Sequence, residues 1–211
     1  MPDRANGRTK DHTERYCIAR LLATVAGDLD YPFMIVHDDR PDFVLVSVPS
    51  RIGIEHTEVV PENVARASFL RSKGLGPNVY FTPRATFGEE RKTAQELKGE
   101  IERDEPSGGW YGESPERETA DAIAGFSLSK LTSSQKDGYR LFDKNWLLLY
   151  NNWPAPAVDL GKSASMAYPK MLSDGVFSTF ERVYIIDSQN LIILSAAGVQ
   201  TVALVDPGVE S

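Results

Sequence analysis

The chain reads as an α/β protein in which a mixed β-sheet is flanked by helices, and three observations carry that reading. Apolar residues recur at helical spacing over residues 11–26 and again over residues 114–136. Short runs rich in Val and Ile lie between them, at 33–36 and within 40–46 and 51–57, separated by turn residues. The run Trp146-Leu147-Leu148-Leu149-Tyr150 has the character of a central strand. In order these elements spell helix, strand, strand, strand, helix, strand (αβββαβ), once residues 61–121 are set aside as an insertion after the third strand.

Residues 1–10, containing Asn6-Gly7, read as a flexible lead. In the first helix Ile18, Leu21, Leu22 and Val25 form one face, and Cys17 on that inner stripe reads as core. Glu14 stands four residues before Ile18 and seven before Leu21, so it extends the buried stripe, and an acid in the first turn suits the helix dipole. Gly27 ends the helix. A strand at 33–36 follows, then His37-Asp38-Asp39 turns the chain into a hairpin.

Within the insertion, a helix at 62–72, a turn at 74–78 and a short strand at 79–81 are expected. A charged helix at 89–103, with a thin apolar stripe of Ala94, Leu97 and Ile101, and a loop at 104–114 complete it. Arg84, Arg91, Lys92 and Lys98 offer a basic ridge for phosphates, which Glu89, Glu90, Glu96 and Glu100 dilute; a solvated face is the plainer reading. Ser114-Pro115-Glu116 is a helix start, with serine as the cap, proline at the first position and acids in the first turn. That helix runs to about residue 136 and stops at Gly138. Ile123, Ser127, Lys130, Leu131 and Ser134 share one side of it, which places Lys130 on a half-buried face where lysine is unusual. A further helix at 163–172 and strands at 183–186 and 191–194 close the chain.

With 211 residues, residues 1–211 are expected to form a single domain with a sizeable core. A composition of 41% hydrophobic and 25% charged residues is ordinary for a soluble globular protein. No apolar run has the length of a membrane span, and the first ten residues lack the apolar core of a signal peptide. The single cysteine excludes an internal disulfide and a cysteine-based metal cluster, so a reducing cytoplasm is the expected compartment. A net charge of −7 argues against a molecule that binds nucleic acid over its whole surface. A site built to hold cations is itself acidic, however, and basic residues need only line a groove.

The chemistry lies in Arg40-Pro41-Asp42-Phe43-Val44-Leu45-Val46 and Arg51-Ile52-Gly53-Ile54-Glu55-His56-Thr57. Twelve residues separate Asp42 from Glu55, and each acid interrupts an apolar β run. If Pro49 and Ser50 form the turn, Val48 faces Arg51, Val44 faces Glu55 and Asp42 faces Thr57. Alternation then puts Asp42, Glu55 and Thr57 on one face, with the two acids diagonal at roughly 7–8 Å, a gap that carboxylates close around a divalent ion. Oxygen donors suit Mg²⁺ or Mn²⁺, not zinc. Ile52, Ile54 and His56 point to the other face, against whatever covers the sheet.

Pro41-Asp42, a short β run and Glu55-x-Thr57 resemble the PD-(D/E)xK nuclease superfamily, the restriction-endonuclease-like fold. The match covers Pro41, Asp42 and Glu55; the strong part spans about residues 14–57, and Thr57 stands where the family usually has lysine. The resemblance implies an αβββαβ core and phosphodiester hydrolysis of nucleic acid, DNA first, with one or two Mg²⁺ ions held by Asp42 and Glu55. The upstream acid would be Glu14. The lysine would come from the following helix, as Lys130 or Lys136, with Lys130 preferred. Cleavage of both strands would call for two sites and hence a homodimer. The alternative is a nuclease-fold protein without catalysis, acting as a binding or assembly module.

Plainer structural readings stand beside these. Asp42 would cap its strand after Pro41, Glu55 would pair with Arg51 or Arg40, Thr57 would be a simple β-former, and Lys130 would snorkel to solvent. His12, His37 and His56 lack zinc-site spacing. Ser127-Leu128-Ser129-Lys130 matches the serine–lysine acylase pattern only formally, because that serine falls mid-helix. The Trp153-Pro154-Ala155-Pro156 loop reads as rigid packing or a contact surface.

Overall fold

In the computed structural model, residues 10–154, 158–187 and 189–207 are described. The lead at 1–9 and the Ala155-Pro156 half of the proline loop lie outside them. In chain order the elements are α1 (Lys10–Thr24), β1 (Phe33–His37), β2 (Phe43–Ser47), β3 (Arg51–Val59), α2 (Glu62–Ser72), α3 (Ala94–Arg103), α4 (Ser114–Ser134), β4 (Lys144–Asn151), α5 (Leu160–Ser173), β5 (Arg182–Ile186), β6 (Asn190–Ser195) and β7 (Gly198–Ala203). The class is α/β, and among the described residues seven strands form one mixed sheet in sequence order, β1 to β7.

Connection length sets strand direction. The two hairpin pairs at each end, β1–β2–β3 and β5–β6–β7, are antiparallel, whereas β3–β4 and β4–β5 are parallel because helices carry the chain back between them. Strand β4 is therefore the centre, and Leu147, Leu148 and Leu149 are each fully buried. Alternation divides their side chains between two cores. On one face Leu147, Leu149, Val59, Val183 and Ile185 meet Ile123 and Leu131 of α4 and Ala164 and Met171 of α5. On the other, Leu148, Phe43, Leu45, Ile52, Ile54 and Ile186 meet Cys17, Ile18, Leu21, Leu22 and Val25 of α1. Ile52 and Ile54 thus face away from the acids, as alternation requires, and Cys17 is core.

Helices α2 and α3 make a third, smaller cluster of Ala67, Leu97 and Ile101, with Leu70 and Leu75 against it. The segment departs from its sequence pattern in two places. Residues 79–81 form no strand: Val79 is 88% exposed, the Arg71 guanidinium lies 3.7 Å from the Tyr80 ring centroid, and the Phe81 N–H donates to Asp104 Oδ1 at 3.1 Å. A strand needs a sheet edge beside it; here Val79 faces solvent, and Tyr80 and the Phe81 N–H meet side chains instead. The charged helix begins at Ala94, not at 89, because Thr93 and Glu96 close a capping box: Thr93 Oγ1 accepts from Glu96 N at 3.2 Å and Glu96 Oε2 from Thr93 N at 2.6 Å. The Thr-x-x-Glu signature was legible in the sequence.

Smaller shifts follow the same logic. Glu113 occupies the N-cap position of α4 without a side-chain capping bond, and Ser114 Oγ instead accepts from the Tyr111 N–H at 3.0 Å. Strand β7 was not expected, since Gly198-Val199-Gln200-Thr201-Val202-Ala203 buries little; it is held by backbone pairing with β6 at the sheet's edge. Among the described residues no helix is long and apolar enough to cross a membrane.

Candidate functional site

The β2–β3 register brings the two acids together. The pairs are Val46 with Arg51, Leu45 with Ile52, Val44 with Gly53 and Phe43 with Ile54. One step outward, Asp42 lies directly across from Glu55. The expected register had Val44 opposite Glu55 and the acids diagonal; it is off by two residues. The connection Ser47-Val48-Pro49-Ser50 is a four-residue loop, closed by the Ser47 N–H and Oγ–H donating to the Ser50 carbonyl at 3.1 and 3.0 Å. A shift of two preserves side-chain parity, so the acids share a face as expected and stand closer than expected.

Asp42 precedes the first paired residue of β2, and its side chain continues the ladder that the backbone leaves: the His56 N–H donates to Asp42 Oδ2 at 2.7 Å. Both acids are 7% exposed. Burial, foremost, and the neighbouring Glu55 charge push the Asp42 carboxyl up to about 6; Glu14 pushes in the same direction, while the His56 N–H and Lys130 oppose the rise. A carboxylate of this kind is poised near neutrality, a property that clusters at functional sites.

Glu55 is gripped at both oxygens. Lys130 Nζ lies 2.6 Å from Oε1, and the Tyr139 hydroxyl donates to Oε2 at 3.0 Å. Helix α4 buries Ile123, Ser127, Leu131 and Ser134 against the sheet, which leaves Lys130 on the shoulder of that stripe, 25% exposed and aimed at β3. Arginine is not the partner of Glu55. Lys136 lies beyond the helix end and is exposed. Thr57 shares the Glu55 face, half-buried, level with Leu149 of β4 and two residues farther along β3.

Glu14 approaches from the opposite side of the sheet on α1, 3% exposed. Its Oε2 is 3.3 Å from His37 Nε2, and His37 Nδ1 is 3.6 Å from Asp11 Oδ1. The His37 ring stacks on Phe43 at 4.9 Å. Asp11, Glu14 and His37 bring one ligand-type atom each within 4.8 Å of one another. Sequence reading placed His37 in a turn and gave it no role. The β1–β2 register decides otherwise, pairing His37 with Phe43 at the α1-facing side.

Tyr139 was also missed. It follows α4 in a loop with no regular spacing, and Gly138 at φ +84° turns the chain so that the ring folds back over the acids. The serine–lysine alternative has no support in this geometry: Ser127 Oγ–H donates to its own helix's Ile123 carbonyl at 2.8 Å. Three residues of the expected basic ridge are paired with acids: Arg84 with Glu118, Arg91 with Glu62 at 2.9 Å, and Lys92 with Glu89 and Glu100 at 3.4 and 2.9 Å; Lys98 is exposed.

Gly53 supports the acids from beneath. It sits on their face of β3, and a Cβ there would lie 2.8 Å from the Phe142 ring and 3.1 Å from Pro41 Cγ, next to Asp42. An isolated glycine in a strand marks such a close approach. Gly53→Val should therefore displace Pro41 and with it Asp42, costing about 1–3 kcal/mol. Urea unfolding of the variant checks this; an unchanged midpoint would show that the Phe142 loop simply yields.

Comparison with protein-family models, curated proteins and solved structures returned no match.

Proposed function

We propose that the chain is a divergent restriction-endonuclease-like protein that hydrolyses phosphodiester bonds of nucleic acid, DNA first, with a divalent metal held by Asp42 and Glu55. The observation that carries this reading is the juxtaposition of two buried carboxylates on adjacent strands with a lysine amine, Lys130, 2.6 Å from one of them. With α2 and α3 set aside, the order of α1, β1, β2, β3, α4 and β4 is consistent with an αβββαβ core.

The residues fit a hard divalent cation. Glu55 and Glu14 both act on Asp42 electrostatically, with the Lys130 ammonium opposing them, so a cation would balance the negative charge there. The rise of the Asp42 carboxyl comes first from its burial, with the Glu55 charge and then the Glu14 charge adding to it. Each carboxylate oxygen has two lone pairs, so those of Glu55 that face Lys130 and Tyr139 leave others open. Asp42 and Glu55 would hold Mg²⁺ or Mn²⁺, with Glu14 behind Asp42. When bound, the ion makes a water nucleophilic near neutral pH and offsets charge on the phosphoryl oxygens.

The chain's own groups do the rest. The His56 N–H fixes the Asp42 carboxylate in place. Lys130 holds Glu55 and, 25% exposed, keeps an ammonium N–H available to a phosphate oxygen or to the attacking water. Thr57, in the family's lysine position, lacks a charge to contribute, and Lys130 supplies it from α4.

One set of observations favours the non-catalytic binding or assembly module: Arg84, Arg91 and Lys92 are neutralised by acids of the insertion, and the net charge is −7. Calorimetric titration of Mn²⁺ into the wild type and Asp42→Ala/Glu55→Ala, with plasmid nicking on the same samples, separates the two. Binding and nicking lost together in the variant establish the nuclease. Binding without nicking of any nucleic acid favours the module, and no binding at millimolar metal removes the metal site.

A further inference from the structure

We infer that Tyr139 is a positioning residue for the metal site, holding the Glu55 carboxylate in the orientation that a cation needs; this rests on the metal-site reading of Asp42 and Glu55. The phenol donates to Glu55 Oε2 at 3.0 Å while Lys130 takes Oε1 at 2.6 Å, so the carboxylate is held at both oxygens, from α4 and from the loop after it. A glutamate has three side-chain torsions and loses much rotamer freedom when fixed. Two donors on its two oxygens remove that freedom before any ligand arrives.

The second arm of the clamp comes from the turn that follows α4. Helix α4 ends at Ser134, the Lys136 N–H donates to the Ser133 carbonyl at 3.2 Å, and the Tyr139 N–H donates to the Lys136 carbonyl at 3.2 Å. Gly138, at φ +84°, completes the reversal, in a conformation that residues with a Cβ rarely adopt. The turn delivers a half-buried ring to a carboxylate 84 residues away in sequence. The phenol is a neutral hydrogen-bond donor. Unlike Lys130, it adds no positive charge that would compete with a cation. A neutral donor on a metal-ligating carboxylate is the outer partner that sets ligand orientation, and loss of such partners weakens metal binding by about 10–100-fold.

Tyr139→Phe tests this, because it keeps the ring and removes only the hydroxyl. The Mn²⁺ dissociation constant should rise at least about tenfold by calorimetry. The metal concentration for half-maximal nicking should rise in parallel, with the rate at saturating Mn²⁺ largely restored. A merely structural tyrosine would instead lower the active fraction at every metal concentration. Thermal melts of both proteins without metal establish that the variant is folded, and Tyr139→Gln, which retains a side-chain donor, should recover part of the affinity. Wild-type affinity in Tyr139→Phe would overturn the inference and leave the metal site standing. A wild type that binds no Mn²⁺ would overturn both.

Discussion

Asp42→Asn is expected to make the metal-free protein more stable near neutral pH while removing its capacity to hold a divalent ion. The asparagine oxygen still accepts the His56 N–H, so the local hydrogen bond survives. What disappears is a buried charge beside Glu55. In the folded protein the Asp42 carboxyl lies at about 6, against 3.8 for an unperturbed aspartate. The folded molecule thus keeps a proton that the unfolded chain has already lost between those values, and stability falls as pH rises from about 4 to about 6. Above that window the full penalty is present, about 3 kcal/mol. The variant should escape it, with a gain in Tm on the order of 5–10 °C near pH 8 that shrinks to nothing below about pH 4. Bound Mn²⁺ should abolish the wild type's fall with pH by balancing the charge. Melting curves across this range decide it: a variant no more stable than wild type near pH 8 would mean that the acids are not in conflict.

Lys130→Met is expected to separate metal binding from catalysis. Methionine retains most of the aliphatic stem against α4's buried stripe but removes the ammonium, leaving Asp42 and Glu55 without that counter-charge. Lys130 is among the groups holding the Asp42 carboxyl down, so its loss should raise Asp42 further. The lysine is 25% exposed and the Glu55 side chain only 10%, so its loss strands a largely buried charge, and stability should fall by about 3 kcal/mol. Nicking, by contrast, should fall by about 10²–10⁴-fold if the amine assists the attacking water. Mn²⁺ binding should persist or tighten, since a competing cation has gone. Steady-state nicking at saturating Mn²⁺ beside calorimetry gives the two numbers. A variant that nicks at the wild-type rate would return Lys130 to the role of a structural ion pair.

Much of the frame was legible because it depends on local pattern. Helix α1 announced itself through Ile18, Leu21, Leu22 and Val25, and the uninterrupted Trp146–Tyr150 run could only be a central strand. Those residues answer to periodicity, which a linear reading measures directly. The strand assigned to 79–81 failed for a complementary reason: Val79, Tyr80 and Phe81 have strand propensity, but propensity does not supply a neighbouring edge. Strand β7 has the edge and little apolar burial, and so went unseen.

The shared face of Asp42 and Glu55, with Ile52 and Ile54 opposite, follows from alternation along two strands joined by an even loop. That much is written in the order of the residues. Whether the acids stand diagonal or abreast depends on how Ser47–Ser50 closes, and a two-residue error costs nothing in parity. The partners of the site are another matter. Lys130, Tyr139 and His37 reach Glu55 and Glu14 across 75, 84 and 23 residues of sequence. No periodicity links such positions. They meet because α4 lies over one face of the sheet and α1 over the other, and packing of the two cores, not any local preference, sets where those helices bring their polar side chains.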